Sequence, residues 1–353
     1  MPLIAHNDLP TFQRLRDEGR IVLSEDRAHT QEIREMHIGL LNMMPDGALQ
    51  ATERQFFRLI GESNRIAQFY VHPFTLPELE RSAETQAHID TYYESYEEIK
   101  AQGLDALIIT GANVSDPELS NAPFWEPLQE IIEWSWDNVA STLCSCLATH
   151  AVMEFKYNQK RQAMKKKLWG VYKHQVSERT HPLVRGVNSI FDVPHSRWNK
   201  ISDRQFKEAG MKILTTSKKA GVHLATSPDG FRIVCFQGHP EYDTISLYKE
   251  YQRDLISFLD GDIKKEPPLP CNYLNKEVEK LIKAQRKSLL KGKEWTLSDE
   301  ELYNLIDNSW RDTARGIIGN WVGLVYQITN VDRQKQYMDG VDPNNPLEIL
   351  QQT

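Results

Sequence analysis

Between positions 38 and 155, short apolar runs that read as strands alternate with longer runs that read as helices, and this alternation limits the folds open to the chain. Residues 38–42, 66–71 and 104–110 read as extended, and 52–60, 92–99 and 125–136 as helical. A strand from Val139 and a helix over 147–155 follow. Such a pattern predicts βαβ units and a mostly parallel sheet with helices on both faces. From about Leu168 it changes to short extended pieces at 168–176, 190–193, 211–215 and 221–226. These predict an antiparallel excursion before a strand at 231–236 rejoins the sheet. Residues 244–259 form an amphipathic helix, with Ile245, Tyr248, Tyr251, Leu255 and Phe258 at helical spacing.

The Pro-rich segment 266–270 cannot continue a helix and reads as a short linker. Beyond it, 275–290 reads as a solvated helix, and 310–326 as an apolar helix that needs a surface to cover, on the main domain or on a partner subunit. The expected organisation is an N-terminal extension at 1–35, a catalytic domain at 36–265, and a mainly helical C-terminal extension at 266–353.

The chain of 353 residues, 40% hydrophobic, can furnish a sizeable core. Its net charge of −7 gives no electrostatic reason to expect nucleic-acid binding. The sequence shows no signal-peptide stretch and no run long enough to cross a bilayer, so a cytoplasmic protein without a membrane partner is expected. Cys144, Cys146, Cys235 and Cys271 form no CxxC pair and no Cys/His grouping of zinc-finger spacing, so free thiols and no metal are expected.

Two fragments carry the candidate chemistry. In STLCSCLATH, Cys146 falls at a strand-to-helix corner, where helix amides lower a thiol's pKa and can hold an oxyanion. In FQGHPEYD, Gly238 permits a turn beyond the strand, and His239 and Glu241 fall where open parallel sheets place their sites. A thiol, a base and an acid that orients the base form a cysteine nucleophile site. The residues alone leave open the ordinary alternative, a Cys that is a small buried hydrophobe and a His that is a satisfied core group. Cys144 is a rival nucleophile, but it should still lie on the strand.

Several stretches in order resemble the MetA-type homoserine O-acyltransferase family. They include LLNMMP (40–45), ATERQFFRLIG (51–61), LIITGANV (107–114), STLCSC (141–146), LWGVYKHQV (168–176), VPHSR (193–197), GHPEYD (238–243) and EYQRDL (250–255). The resemblance implies a class I glutamine-amidotransferase-like (flavodoxin-like) α/β fold. It also implies homoserine O-succinyltransfer in methionine biosynthesis, with O-acetyltransfer or serine O-acylation as alternatives. Carried over, it makes Cys146 the acyl-thioester cysteine, His239 the base and Glu241 its orienting acid. Lys167, Ser196 and Arg253 become substrate contacts, and the backbone at Leu147, Gly111 and Ala112 forms the oxyanion site. Where acetyl-transferring members often carry Glu and succinyl-transferring ones Gly, this chain has Ser115, which therefore bears on donor choice. Leu147 and His150 replace the family's usual Trp and Gln. The expected ligands are small molecules, homoserine and an acyl-CoA used as substrate, with no cofactor; a homodimer is expected.

Overall fold

The computed structural model describes residues 3–29, 33–64, 66–114 and 116–351. Its centre is a sheet whose strands are β1 (Leu3–Ala5), β2 (Val22–Ser24), β3 (Glu35–Leu41), β4 (Gln68–Phe74), β5 (Ala106–Ile109), β6 (Ser141–Ser145), β7 (Gln162–Val176), β8 (Ile190–Lys200), β9 (Lys212–Ser217), β10 (Gly221–Thr226) and β11 (Ile233–Phe236). They lie in the order β2-β1-β4-β3-β5-β6-β11-β10-β9-β7-β8. Pairing is parallel from β2 to β11 and antiparallel from β11 to β8. The parallel sheet, the antiparallel excursion and the return at β11 agree with the sequence pattern.

The central strands are apolar on both faces because helices cover both. In β5, Ala106 and Ile108 join a core with Phe56, Phe57 and Ile60 of helix Asp46–Ser63, whereas Leu107 and Ile109 pack with Leu128 and Ile132 of helix Trp125–Asn138. A single helix over 92–99 does not form. Helix Ala83–Tyr92 ends, Tyr93 is extended, and helix Tyr96–Gln102 begins anew. The break has a local cause: Ser95 accepts from the Glu98 amide while the Glu98 carboxylate accepts from the Ser95 amide. That reciprocal box starts a helix and favours interruption over continuation.

Both terminal segments are built into the sheet region. β1 and β2 extend its parallel edge, an element that the short apolar runs near the N-terminus did not suggest. Helix Arg311–Ile328 covers the same sheet face as helix Asp46–Ser63, and Trp321 is its fully buried anchor. The indole Nε1–H donates to Ser141 Oγ at 2.8 Å, and that hydroxyl donates to the Phe231 carbonyl at 2.6 Å. The polar edge of a large apolar ring is thereby satisfied inside the core.

The segment after the prolines returns to β7, where Gly170 and Cys271 form an isolated parallel bridge. Gly170 has φ +135°, and a Cβ there would stand 2.1 Å from the Cys271 carbonyl oxygen and 2.5 Å from its nitrogen. Only glycine permits this approach. Gly170→Ala is therefore expected to cost roughly 1–3 kcal/mol, the scale of a strained backbone site, and to loosen the C-terminal segment. Gly47→Ala, on a helix with nothing within 4 Å of the added carbon, should be neutral or stabilising. Urea unfolding of both variants checks the contrast, and equal stabilities would contradict it.

Candidate active site

Three strand ends converge. Gly111 follows β5, Cys146 follows β6, and His239 and Glu241 follow β11. Cys146 occupies the corner between β6 and helix Leu147–Tyr157 with φ 51° and ψ −105°, a conformation that non-glycine residues rarely adopt. Hydrogen bonds impose it. The Cys146 amide donates to the Phe236 carbonyl at 2.7 Å, and Thr149 Oγ1 donates to the carbonyls of Cys144 at 2.7 Å and Phe236 at 3.1 Å. The elbow of β6 is thus fastened to the end of β11, the strand that carries the base.

Cys146 is partly exposed, whereas Cys144 is fully buried in the core facing helix Leu147–Tyr157. Burial pushes the Cys144 thiol well above its ordinary range, with the neighbouring Cys235 adding to the effect. A thiol held neutral in this way is a poor nucleophile. The geometry thus separates the two cysteines that the sequence left as rivals.

His239 and Glu241 are buried, and His239 Nδ1 lies 2.8 Å from Glu241 Oε1. The His239 amide donates to the Pro194 carbonyl at 2.8 Å, and its ring stacks on Tyr242 at 4.3 Å between centroids. Nε2 is buried and forms no hydrogen bond of ordinary geometry; the Cys146 sulfur is the polar group that acts on it. Burial alone would lower the imidazole pKa. Interaction with Glu241 and with the Cys146 sulfur outweighs it and holds the pKa well above the usual histidine value.

Gly238 lies in the bend after β11, as expected, without a positive φ; a Cβ there would meet Val193 Cγ1 at 2.6 Å and His195 at 2.9 Å, so glycine also lets β8 pack against this loop. His150 is also buried, and burial pushes it down to about 3, which leaves it neutral within the core.

Gly111 stands over the nucleophile. A Cβ on it would lie 3.5 Å from Cys146 Cβ and 3.9 Å from the Leu147 nitrogen. Leu147 is the first helical residue, so its N–H has no acceptor within its own helix. Ala112 is the next residue of this loop and is half-buried. Ser115 lies outside the described residues.

Lys167 and Ser196 meet, but through a residue that the sequence did not single out. Glu250, on helix Ser246–Leu259, accepts from Lys167 Nζ at 3.2 Å, Ser196 Oγ at 2.5 Å and Tyr242 Oη at 2.7 Å. Burial would raise its carboxyl, yet Lys167 and the two hydroxyls bring it below the ordinary range, so it is an anion. Lys167 Nζ also lies 3.6 Å from Asp254 and 4.2 Å from the Trp169 ring centroid. Arg253 does not join this cluster directly. Its side chain is 64% exposed and bonds to Asp254 Oδ1 at 3.0 Å.

A second group absent from the sequence reading is Arg197. It is buried, and among the described residues no carboxylate lies within ion-pair distance of it. Its guanidinium donates to the carbonyls of Ala220 at 2.6 Å and Asn199 at 2.8 Å. Burial pushes it down to about 10 against the opposing pull of Cys146, so the nucleophile lies within electrostatic reach of a buried cation. The VPHSR stretch gave its residue type, but not its burial beside Cys146.

A sequence profile described as "HTS: Homoserine O-succinyltransferase" matches residues 2–331. The homoserine O-succinyltransferase of Allochromatium vinosum is 58% identical, with the alignment covering 99% of this chain and 99% of that protein. That of Thiobacillus denitrificans is 57% identical over 99% of this chain and all of that protein. Among solved structures, a glutamine amidotransferase from Thermotoga maritima is similar at 12% identity and a TM-score of 0.45, covering 82% of this chain and 97% of that one. With identity this high over both full lengths, the chain belongs to the homoserine O-succinyltransferase family, a family of acyltransferases.

Proposed function

We propose that this protein moves a succinyl group from succinyl-CoA to the hydroxyl of homoserine through a Cys146 thioester, as a step of methionine biosynthesis. The observation that carries the reading is the thiol–imidazole–carboxylate line at the strand ends, in which Glu241 fixes Nδ1 of His239 and leaves Nε2 toward Cys146. His239 takes the thiol proton, and the thiolate attacks the thioester carbonyl. The Leu147 amide and the Gly111–Ala112 loop are suited to receive the oxyanion, a donor arrangement whose loss costs ~10²–10³ in rate in comparable sites. Coenzyme A departs with the proton returned by the imidazolium, which leaves Cys146 acylated.

Acylation changes the base. In the free enzyme a negative charge on the Cys146 sulfur favours the protonated form of His239. Once the sulfur is esterified that charge is gone, and the buried imidazole loses part of what opposed its desolvation. His239, neutral once it has returned its proton to coenzyme A, then stays neutral more readily and serves as the base that deprotonates the acceptor hydroxyl. The alkoxide attacks the thioester, the O-succinyl ester forms, and the Cys146 thiolate leaves. We assign Lys167, Ser196 and Arg253 to the acceptor, with Arg253 offering two parallel hydrogen bonds to a carboxylate. Glu250 acts as a positioning residue, since it holds Lys167 and Ser196 at fixed places.

Intact-protein mass spectrometry with succinyl-CoA and no acceptor tests the first half-reaction. A succinyl adduct is expected on the wild type and on Cys144→Ser, and none on Cys146→Ser. An adduct mapping to Cys144 would overturn the assignment.

The base is tested by kinetics. His239→Asn should lower kcat/KM by roughly a hundredfold or more, the scale of lost general acid–base catalysis. Glu241→Gln removes the charge that raises His239, so the imidazolium should be lost at lower pH. The alkaline limb of kcat/KM for the acyl donor, where the protonated imidazole is titrated away, should move toward neutrality. A shift to higher pH, or an unmoved profile, contradicts this role for Glu241.

We also assign donor choice to Ser115. A glutamate there would oppose the distal carboxylate of a succinyl group, so Ser115→Glu should shift the preference toward acetyl-CoA. Competition between the two donors measures it, and an unchanged ratio removes Ser115 from donor selection.

A further inference from the structure

Far along the sheet from β11, at its β1–β4 edge, three side chains from separate segments converge. His6 follows β1, His72 lies on β4, and Glu94 lies between helices Ala83–Tyr92 and Tyr96–Gln102. One nitrogen or oxygen from each lies within 4.8 Å of the other two, and among the described residues no other group of three or more His, Cys, Asp or Glu side chains converges in this way.

The local hydrogen bonds suit these atoms for coordination. His6 Nδ1 lies 3.3 Å from the Ile4 carbonyl, an atom that can only accept, so Nδ1 carries the ring proton. Nε2 is left with its lone pair; it is buried and has no hydrogen-bond partner. A ring nitrogen that bonds a backbone carbonyl while the other faces a carboxylate and a second imidazole is the usual arrangement of a metal-bound histidine. His72 Nδ1 lies 2.6 Å from Glu94 Oε1, and its Nε2 lies 2.9 Å from His37 Nδ1, which fixes the plane of the ring. The Glu94 amide in turn donates to the Pro73 carbonyl at 2.9 Å, so the carboxylate is carried by backbone tied to β4.

We propose that His6, His72 and Glu94 bind a divalent transition ion of the zinc class, which fastens the N-terminal strand to the sheet. Two imidazoles and one carboxylate suit zinc or cobalt, whereas calcium and magnesium favour sites built from oxygen ligands. Bonds of about 2.0–2.1 Å place ligand atoms about 3.3 Å apart, so the His72–Glu94 pair at 2.6 Å opens and the wider separations, up to 4.8 Å, close, by small side-chain rotations. The ion would supply a link that pairing leaves thin, because among the described residues β1 meets β4 through the one pair Leu3↔Phe69.

Cobalt titration of the full chain, with its melting temperature measured with and without zinc, tests the proposal. One equivalent of cobalt should bind without the near-ultraviolet thiolate band that coordination by Cys146 would produce, and zinc should raise the melting temperature. His6→Ala and the near-isosteric Glu94→Gln should each weaken cobalt binding at least tenfold, with circular dichroism and acyl transfer unchanged. His29→Ala, at an exposed position, should bind as the wild type does. Failure to bind one equivalent, a thiolate band at that equivalent, or unchanged affinity in both His6→Ala and Glu94→Gln would overturn it.

Discussion

The Phe236 carbonyl, at the end of β11, accepts from both the Cys146 amide and the Thr149 hydroxyl. Through this one oxygen the nucleophile's elbow and the first turn of its helix are held against the strand that delivers His239. The strained dihedrals of Cys146 persist because the hydrogen bonds around them over-determine the local backbone. Gly111 and Gly238 complete the arrangement by leaving out side chains. Gly111 keeps space open above the sulfur, and Gly238 lets Val193 and His195 approach the base loop.

Charge in the site is managed by pairing and by contrast in burial. Glu241 is buried against His239, and Glu250 is partly buried among Lys167, Ser196 and Tyr242, so each carboxylate has donors that offset its desolvation. Tyr242 joins the two systems, since its ring stacks on His239 and its hydroxyl donates to Glu250. Arg197 is the exception. Its guanidinium is held by the carbonyls of Ala220 and Asn199, with no carboxylate within ion-pair distance among the described residues.

The terminal segments support this core from opposite directions. Trp321 fills the sheet face below β6 and bonds Ser141, the first residue of the strand that ends at the nucleophile. Helix Arg311–Ile328 crosses helix Asp46–Ser63 at Gly319, where a Cβ would stand 2.6 Å from the Ser63 carbonyl oxygen. Such backbone contact explains how a segment late in the sequence becomes part of the central packing. Among the described residues, no helix is long and apolar enough to cross a membrane.

Periodicity and turn chemistry are local, so the sequence alone determined most of the strand and helix succession from β3 to helix Ser246–Leu259, though not helices Ala83–Tyr92 and Asp203–Glu208, and the change from parallel to antiparallel pairing. The fragments around Cys146 and His239 supplied the proposed reacting groups for the same reason: a strand-to-helix corner and a strand end can be recognised within ten residues. The ordered family motifs also named Lys167, Ser196 and Arg253. What they could not fix was orientation. Lys167 and Ser196 meet at Glu250, whereas Arg253, three residues along the same helix, points to solvent. The contrast between a buried Cys144 and a partly exposed Cys146 comes from the sheet and its covering helices together. The placement of β1 and β2 at the sheet edge and the meeting of His6, His72 and Glu94 rest on contacts between distant segments. No local pattern encodes such contacts, because they exist only after the chain has packed.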